Sequence, residues 1–278
     1  MPPTTYAILG ATGSTGSELL KLLLPRNDIK LNVYARSRSK LHALIPKSAN
    51  SAHVTEYIGD LEDKQLLKDC LRGVTVIFST VAQNNNEPGC SIAQRTSYVI
   101  VSALEALRAE AKEKENGEPW KSPTLVFLSS SALNPVLMAS FPKLLQYILH
   151  SACYHVYRDL QLATDYLRSI PWIRLMVVQP GAIVHDRSFG VRLSETEVSQ
   201  RVSYADVAVA MVAMAEGKIR SDDSMGDHER LVGKEVGIIS LGGDEVKQPI
   251  GNLQYLILGL ICSFLPPIWH LGRWMGLW

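Results

Sequence analysis

A glycine-rich turn near the start of the chain constrains the fold more than any other feature. An apolar run at residues 5–9 leads into Gly10-Ala11-Thr12-Gly13-Ser14-Thr15-Gly16, and the leucine-rich residues 18–24 follow. This order predicts a buried strand, a tight turn and a helix packed on a sheet. The first glycine would permit the turn, the second would admit a diphosphate, and the third would allow close helix packing. The pattern therefore predicts a dinucleotide site at a helix N-terminus. An ordinary glycine-rich turn is the alternative.

The remainder of the chain alternates between strand and helix patterns. Helical segments are predicted at residues 91–114, 137–168 and 203–216, and the apolar runs that predict further strands are residues 29–35, 53–58, 74–78, 125–128, 172–178 and 236–240. Such alternation predicts an α/β, doubly wound parallel sheet, the Rossmann fold. We divide the chain into a dinucleotide-binding core, residues 1–180, and a small substrate-side region, residues 181–278, that completes the fold.

Composition excludes several classes of function. The 278-residue chain has a formal net charge of +1, so no electrostatic attraction to nucleic acid is expected. Its cysteines are scattered, without a Cys-x-x-Cys pair or clustered histidines, which predicts reduced thiols and no metal site. Because the N-terminus leads directly into a strand, we expect no signal peptide and a cytoplasmic protein.

Basic residues follow the second predicted strand. Arg36 and Arg38 stand there with Lys40, where an NAD-specific site would carry an acidic residue for the ribose hydroxyls. Their charges match a 2′-phosphate, so the sequence predicts NADPH as the cofactor. A solvated basic loop is the alternative interpretation.

Four motifs in this order resemble one protein family. They are the glycine-rich turn, the basic cluster from Arg36, Ser129-Ser130-Ser131-Ala132 after the fifth strand, and Gln179-Pro180-Gly181-Ala182 after the sixth. With residues 202–208, which are similar to the family's "v-D-v-A" helix start, they resemble an atypical short-chain dehydrogenase/reductase of the NmrA-like type. The likeness is closest to fungal oxidoreductases of polyketide pathways, particularly anthraquinone and xanthone pathways. It implies NADPH and a small-molecule substrate held between the Rossmann core and the C-terminal part.

The residues expected to contact the cofactor lie in loops after the strands. Asp60 could accept a hydrogen bond from the adenine amino group, and the loop from Thr80 should line the cofactor because ligands lie at the carboxyl ends of the strands. The full predicted set is Gly10, Thr12, Gly13, Ser14, Thr15, Gly16, Arg36, Arg38, Asp60, Leu61, Thr80, Val81, Ala82, Ser129, Gln161, Pro180, Gly181 and Ala182.

The predicted catalytic residues are Ser131 and Tyr157. The resemblance implies that Ser131 meets the substrate oxygen; a purely structural serine turn is the alternative. Tyr157 would be the acid, but on this alignment Gln161 stands at the lysine of the family's Tyr-x-x-x-Lys. An alignment on residues 167–168 instead places Leu160 at the lysine and Val156 at the tyrosine, so the lysine is absent on either alignment. Glutamine can bond the ribose but carries no charge to stabilise a tyrosinate.

The neighbours of Tyr157 divide between two helix faces. His155 could transfer a proton, but it lies about 200° round the helix from Tyr157, so at most one of the two faces the site. Arg158 and Asp159 are expected on the solvated or ion-paired outer face.

The C-terminal tail, residues 253–278, contains Arg273 as its single formal charge. Its apolar pieces are shorter than the ~20 residues that a membrane span needs. We expect the tail to pack beside the substrate region and help to close it. A partner-subunit interface, as in a homodimer, and peripheral membrane contact remain alternatives.

These observations predict an NADPH-dependent oxidoreductase acting on a polycyclic or aromatic secondary metabolite. Two alternatives stay open. One is a non-reductive isomerase, dehydratase or ring-opening enzyme on the same scaffold, which the missing lysine favours. The other is a regulator that binds NADP(H) without catalysis.

Overall fold

A computed structural model describes residues 4–46, 53–113, 120–220, 228–247 and 253–277. An eight-stranded sheet with the order β3-β2-β1-β4-β5-β6-β10-β8 forms its centre. All neighbouring strands are parallel except β8, which pairs antiparallel with β10 at one edge. The strands are β1 (Thr4–Leu9), β2 (Ile29–Ala35), β3 (Val54–Ile58), β4 (Val76–Ser79), β5 (Thr124–Leu128), β6 (Arg174–Gln179), β7 (Ala182–Val184), β8 (Val191–Ser194), β9 (Arg201–Ser203) and β10 (Glu235–Ser240). The doubly wound Rossmann sheet is as predicted.

Helices cover both faces of this sheet. They are α1 (Ser14–Leu23), α2 (Arg38–Leu44), α3 (Lys64–Leu71), α4 (Ile92–Glu113), α5 (Lys143–Ala152), α6 (Tyr154–Arg168), α7 (Tyr204–Ala215), α8 (Leu253–Phe264) and α9 (Pro266–Trp274). One buried cluster joins α1, α2 and α7 to the sheet, and a second joins α3, α4 and α6 to its other face. The strands are apolar on both sides because both of their faces are buried.

The predicted helical segment at residues 137–168 consists of two helices. Residues 137–142, at the start of this segment, are not α-helical, and α5 begins directly after Pro142. Cys153 then separates α5 from α6 with a non-helical ψ of 19°. This break turns the chain so that α5 contacts α8 while α6 packs against α4.

The region after β6 is more regular than its sequence indicates. It contains β7 and β9, which form a small parallel pair, and β8 at the sheet edge. Asp206, fully buried at the start of α7, holds this region together. Its carboxylate accepts hydrogen bonds from the Ser188 and Ser240 hydroxyls and from the Phe189 amide. The loop between β7 and β8, residues 185–190, is therefore fastened to the end of β10.

The expectation that Asp159 faces solvent is wrong. Asp159 is 2% exposed, and its carboxylate accepts hydrogen bonds from the Ala93 amide at 2.8 Å and the Gln94 amide at 3.0 Å. The Gln94 side chain and the Cys90 thiol also donate to it. Burial and then the Asp159 charge raise the pKa of Cys90 to about 11, so this thiol stays protonated as a donor. Asp159 thus caps α4 from α6, an arrangement between distant residues that helix periodicity does not show.

Asp159→Ala should lower the free energy of unfolding by about 3 kcal/mol, because several buried donors at the start of α4 lose a charged acceptor. Urea denaturation followed by circular dichroism measures the change. Asp165→Ala is the matched control, since Asp165 is exposed on the same helix and accepts a bond from Gln161. Equal stability of the two variants would contradict the capping role.

Candidate functional site

The glycine-rich turn between β1 and α1 forms the centre of the site. Gly10 has a φ of +87°, which favours glycine, and the Gly13 amide donates to the Gly10 carbonyl at 2.9 Å. A Cβ on Gly16 would overlap that same carbonyl oxygen. Gly13 is the N-cap residue of α1, and because glycine has no side chain it cannot cap the first-turn amides of this helix. A free helix N-terminus with a bare backbone in front of it fits a diphosphate.

The loop after β4 lies directly against this turn. The Thr80 hydroxyl donates to the Leu9 carbonyl at 3.0 Å and joins the ends of two neighbouring strands. A Cβ on Gly10 would come within 2.9 Å of Val81, so the Thr80–Val81 segment closes over the turn. Ala82 is exposed beyond it. The structure therefore brings together two predicted segments that are about 70 residues apart in the chain.

Arg36 and Arg38 flank the start of α2, whose N-cap is the hydroxyl of Ser37. Both arginines are exposed at the carboxyl end of β2, and no ion pair with another described residue engages either guanidinium group. The positive charge at this edge is thus available to an anionic ligand.

Asp60 and Leu61 follow β3 at the same edge of the sheet. The Asp60 carboxylate accepts the Glu62 amide at 2.9 Å, and its carbonyl accepts the Tyr34 hydroxyl at 2.7 Å. Asp60 is exposed and Leu61 is half-buried. One carboxylate oxygen of Asp60 therefore shapes the loop and the side chain remains accessible.

Two buried serine hydroxyls at the ends of β4 and β5 lack hydrogen-bond partners among the described residues. They belong to Ser79, 1% exposed, and to the predicted residue Ser129, 6% exposed. Buried polar groups are normally paired, so these hydroxyls fit a missing polar ligand at this edge. Ser79 is not among the residues predicted from the sequence. The sequence feature that could have indicated it is a polar residue at the end of an otherwise apolar strand.

Two contacts position Ser131, which begins a short 3-10 helix, Ser131–Leu133. Its amide donates to the Pro180 carbonyl at 3.0 Å. The Asn134 side chain donates to buried Gln179 at 2.8 Å, so the loops after β5 and β6 are joined twice. The Ser131 side chain is buried, and no hydrogen bond to the rest of the described chain engages its hydroxyl. Its hydroxyl is therefore free to bond a ligand oxygen.

The structure places Tyr157 beside the serine run but does not activate it. Its hydroxyl lies close to the side chains of Ser130 and Cys153, and burial raises its pKa above the ordinary value. A lysine-assisted tyrosine acid requires the opposite shift. Tyr157 is thus a protonated phenol, in agreement with the absence of the lysine.

Gln161, one turn further along α6, donates its side-chain amide to Asp165 at 2.9 Å. The interaction runs along the helix surface, away from the serine run. In this arrangement the amide is committed to Asp165, and ribose binding by Gln161 would require a rotation of its side chain.

The Gln-Pro-Gly segment after β6 serves packing as well as the site. A Cβ on Gly181 would overlap the backbone carbonyl of Ser199, so glycine is required there by a neighbouring loop. Pro180 is buried and reaches Ser131 through its carbonyl, whereas Ala182 is exposed. Gly181 stays a predicted cofactor contact, and the packing against Ser199 is a second reason for glycine at this position.

The fold and the glycine-turn site define a Rossmann protein with a dinucleotide-binding turn. The model of a family described as "NAD(P)H-binding" matches residues 10–218. The chain belongs to this NAD(P)H-binding family.

Several curated fungal proteins are similar over nearly the full chain. An oxidoreductase of Aspergillus parasiticus, aflX, is 36% identical over 262 residues, which cover 94% of this chain and 92% of the relative. An oxidoreductase of Aspergillus novofumigatus, nsrR, is 33% identical and covers 96% and 95%.

Solved structures share the fold at low identity. A short-chain dehydrogenase/reductase from Veillonella parvula in complex with NADP superimposes with a TM-score of 0.59 at 17% identity, covering 86% of this chain and 96% of that chain. ChuY, an anaerobillin reductase of Escherichia coli, gives a TM-score of 0.60 at 15% identity and covers 88% and 100%. These likenesses show the architecture alone.

Gly16→Ala should reduce NAD(P)H affinity by at least ~10-fold and stability by about 2 kcal/mol, because the added methyl displaces the turn that carries the amides. Isothermal titration and thermal unfolding measure both quantities. Lys21→Ala, on the exposed side of α1, is the matched control, since its pair with Glu18 is a surface ion pair. Unchanged binding by the Gly16 variant would exclude this turn as the diphosphate site.

Proposed function

We propose that the protein is an NADPH-dependent oxidoreductase acting on a polycyclic or aromatic secondary metabolite. The observation that carries the cofactor choice is the pair of exposed arginines, Arg36 and Arg38, at the carboxyl end of β2. The strand end beyond the glycine turn is where dinucleotide folds meet the adenosine ribose. Two guanidinium groups there favour a 2′-phosphate over free hydroxyls.

The chain's own residues divide the remaining tasks. Bound NADPH would supply a hydride to the substrate carbon. The first-turn amides of α1 would hold the diphosphate, and Ser129 would bond the nicotinamide end through its otherwise unpaired hydroxyl. Ser131 would donate its hydrogen bond to the substrate oxygen and stabilise the charge that develops there. Tyr157, protonated at neutral pH, would supply the proton directly or through a water.

The proposed substrate class rests on two supports. One is the relatives' description as fungal oxidoreductases together with the motif resemblance. The other is an aromatic surface on the substrate side, where the His185 and Tyr204 rings lie 4.6 Å apart at the ends of the β7–β9 pair. Adjacent rings favour flat, apolar ligands by stacking.

Arg36→Asp should weaken NADPH binding by ~10-fold or more and spare NADH, because one charge-assisted hydrogen bond contributes about 1.5–3 kcal/mol. Fluorescence titration with both nucleotides measures the ratio. Lys30→Asp, at an exposed residue near the amino end of β2, is the control for a general change in surface charge. Equal wild-type affinity for NADH and NADPH would overturn the cofactor assignment.

Ser131→Ala and Tyr157→Phe should each lower kcat on the order of 10²-fold while NADPH affinity stays nearly unchanged. Loss of absorbance at 340 nm, measured with aromatic ketone or quinone substrates, reports the turnover. Ser130→Ala separates catalysis from support of the phenol, since Ser130 touches Tyr157 and caps the short helix. An active Tyr157→Phe enzyme would transfer the acid role to water.

Gln161→Lys tests the same assignment from the other side. The new ammonium group would meet Asp165 first, so the variant is best combined with Asp165→Asn. If Tyr157 is the acid, the pair of changes should shift the alkaline limb of the pH–rate profile to lower pH, because a nearby cation lowers the tyrosine pKa and the acid is active only while it is protonated. An unchanged profile would contradict the role of Tyr157.

A second function, non-reductive chemistry on the same scaffold, is favoured by one observation. Tyr157 has a raised pKa and lacks the lysine that would stabilise its anion. An isomerase, dehydratase or ring-opening enzyme would form product without net consumption of NADPH. Product formation at constant 340 nm absorbance would favour this function over reduction.

A further inference from the structure

The two C-terminal helices have an inner side fixed to the protein. A Cβ on Gly259 would overlap the Ala152 carbonyl, so α8 meets α5 backbone to backbone. The Ser263 hydroxyl donates to the Ser151 carbonyl at 2.6 Å, and Asn86 contacts both Gly259 and Ser263. These contacts show that α8 is held in a defined orientation.

The outer side of the same helices is apolar and uncovered. Its large exposed side chains continue across α5, α8 and α9, and the Tyr147 and Phe264 rings, 6.4 Å apart, join the first two helices. Trp274 is 84% exposed. We define the C-terminal apolar face by Tyr147, Ile257, Phe264, Ile268, Leu271 and Trp274. Exposed apolar surface of this extent marks an interaction site.

Apart from the ion pair of Arg273 with Glu87, the charge beside this face is positive. The sequences of α5, α8 and α9 contain no aspartate or glutamate, and they carry Lys143 and Arg273. Lys143 is exposed, and Arg273 pairs with Glu87 at 3.1 Å at the margin of the face. Two copies meeting through this face would bring like charges together, which disfavours a second copy as the occupant. An anionic surface is complementary.

The helix geometry determines how such a surface would be met. No single helix among the described residues is long and apolar enough to cross a membrane. The helices Gln254–Phe264 and Pro266–Trp274 reach that length and apolar composition only when they are taken together, and the chain bends by 118° between them. With 12 and 9 residues, α8 and α9 are each shorter than the ~20 residues of a span. Short helices with an apolar outer side and an exposed tryptophan suit the interface plane.

We propose that the C-terminal apolar face docks on an anionic phospholipid bilayer, with α8 and α9 lying in the interface. Apolar side chains would enter the acyl boundary, and Lys143 would face the lipid headgroups. Asn86, in the loop after β4, donates to the Gly259 carbonyl of α8 and accepts a hydrogen bond from the His155 amide at 2.8 Å, so the docked face is joined to the loop whose start lies against the glycine turn. A flat apolar substrate dissolved in the bilayer would then lie close to the site.

Co-sedimentation of the full chain with vesicles tests the proposal without any turnover. Phosphatidylcholine vesicles containing phosphatidylserine should bind the protein, and added salt should weaken the binding. Leu271→Gln combined with Trp274→Gln should reduce the bound fraction at least ~10-fold. Leu241→Gln, at an apolar residue that is 51% exposed outside the face, is the matched control and should bind like the wild type.

Three outcomes would overturn the proposal. The first is the absence of vesicle binding by the wild type. The second is equal wild-type binding to vesicles with and without phosphatidylserine. Wild-type levels of binding by Lys143→Glu to vesicles that contain phosphatidylserine would count in the same way. The third is a wild-type dimer in light scattering that the double variant dissociates, since this would assign the face to a second copy. Unchanged melting temperatures would verify that the exposed substitutions leave the fold intact, and a failed reductase assay would not affect any of these measurements.

Discussion

The contact between α1 and the turn before it is the constraint on which the site depends. Gly16 lies so close to the Gly10 carbonyl that no side chain fits between them. This approach aims the free amides of α1 at the carboxyl edge of β1, and the Thr80–Val81 segment closes on the same turn. A steric requirement at one backbone position thus fixes where a diphosphate can bind.

Two buried carboxylates fix the positions of other loops and helix ends. Asp159 on α6 caps α4. Asp206 accepts hydrogen bonds from the loop at residues 185–190 and from the end of β10. In both cases a charge is taken out of water and satisfied by several donors that come from distant parts of the chain. Such a carboxylate is costly to leave unpaired, so it defines one arrangement of the elements around it. The position of the Ser129–Ser131 loop follows from this framework and from the Asn134–Gln179 bond.

The candidate catalytic group differs from the usual arrangement in a consistent way. Tyr157 lacks the lysine of the family motif, its hydroxyl lies close to Ser130 and Cys153, and burial raises its pKa. Gln161 is occupied by Asp165. Ser131, whose amide is held by Pro180, is the better-positioned polar group at the end of β5. The raised pKa of Tyr157 therefore argues against an activated phenol and supports the proposal that Ser131 donates a hydrogen bond to the substrate oxygen.

The sequence by itself determined the sheet, the glycine turn and the basic strand end, because apolar runs, glycine spacing and charge are local properties of neighbouring residues. It also indicated Ser129 and Ser131, through the resemblance of the serine run after a predicted strand to a family motif. Only the tertiary structure decided that Asp159 is a buried cap, that Gly181 is a packing glycine and that Ser79 has an unpaired hydroxyl. It also divided residues 137–168 into two helices and gave α8 one packed and one exposed side. Burial and hydrogen-bond partners depend on residues far apart in the chain, and a local pattern cannot contain that information.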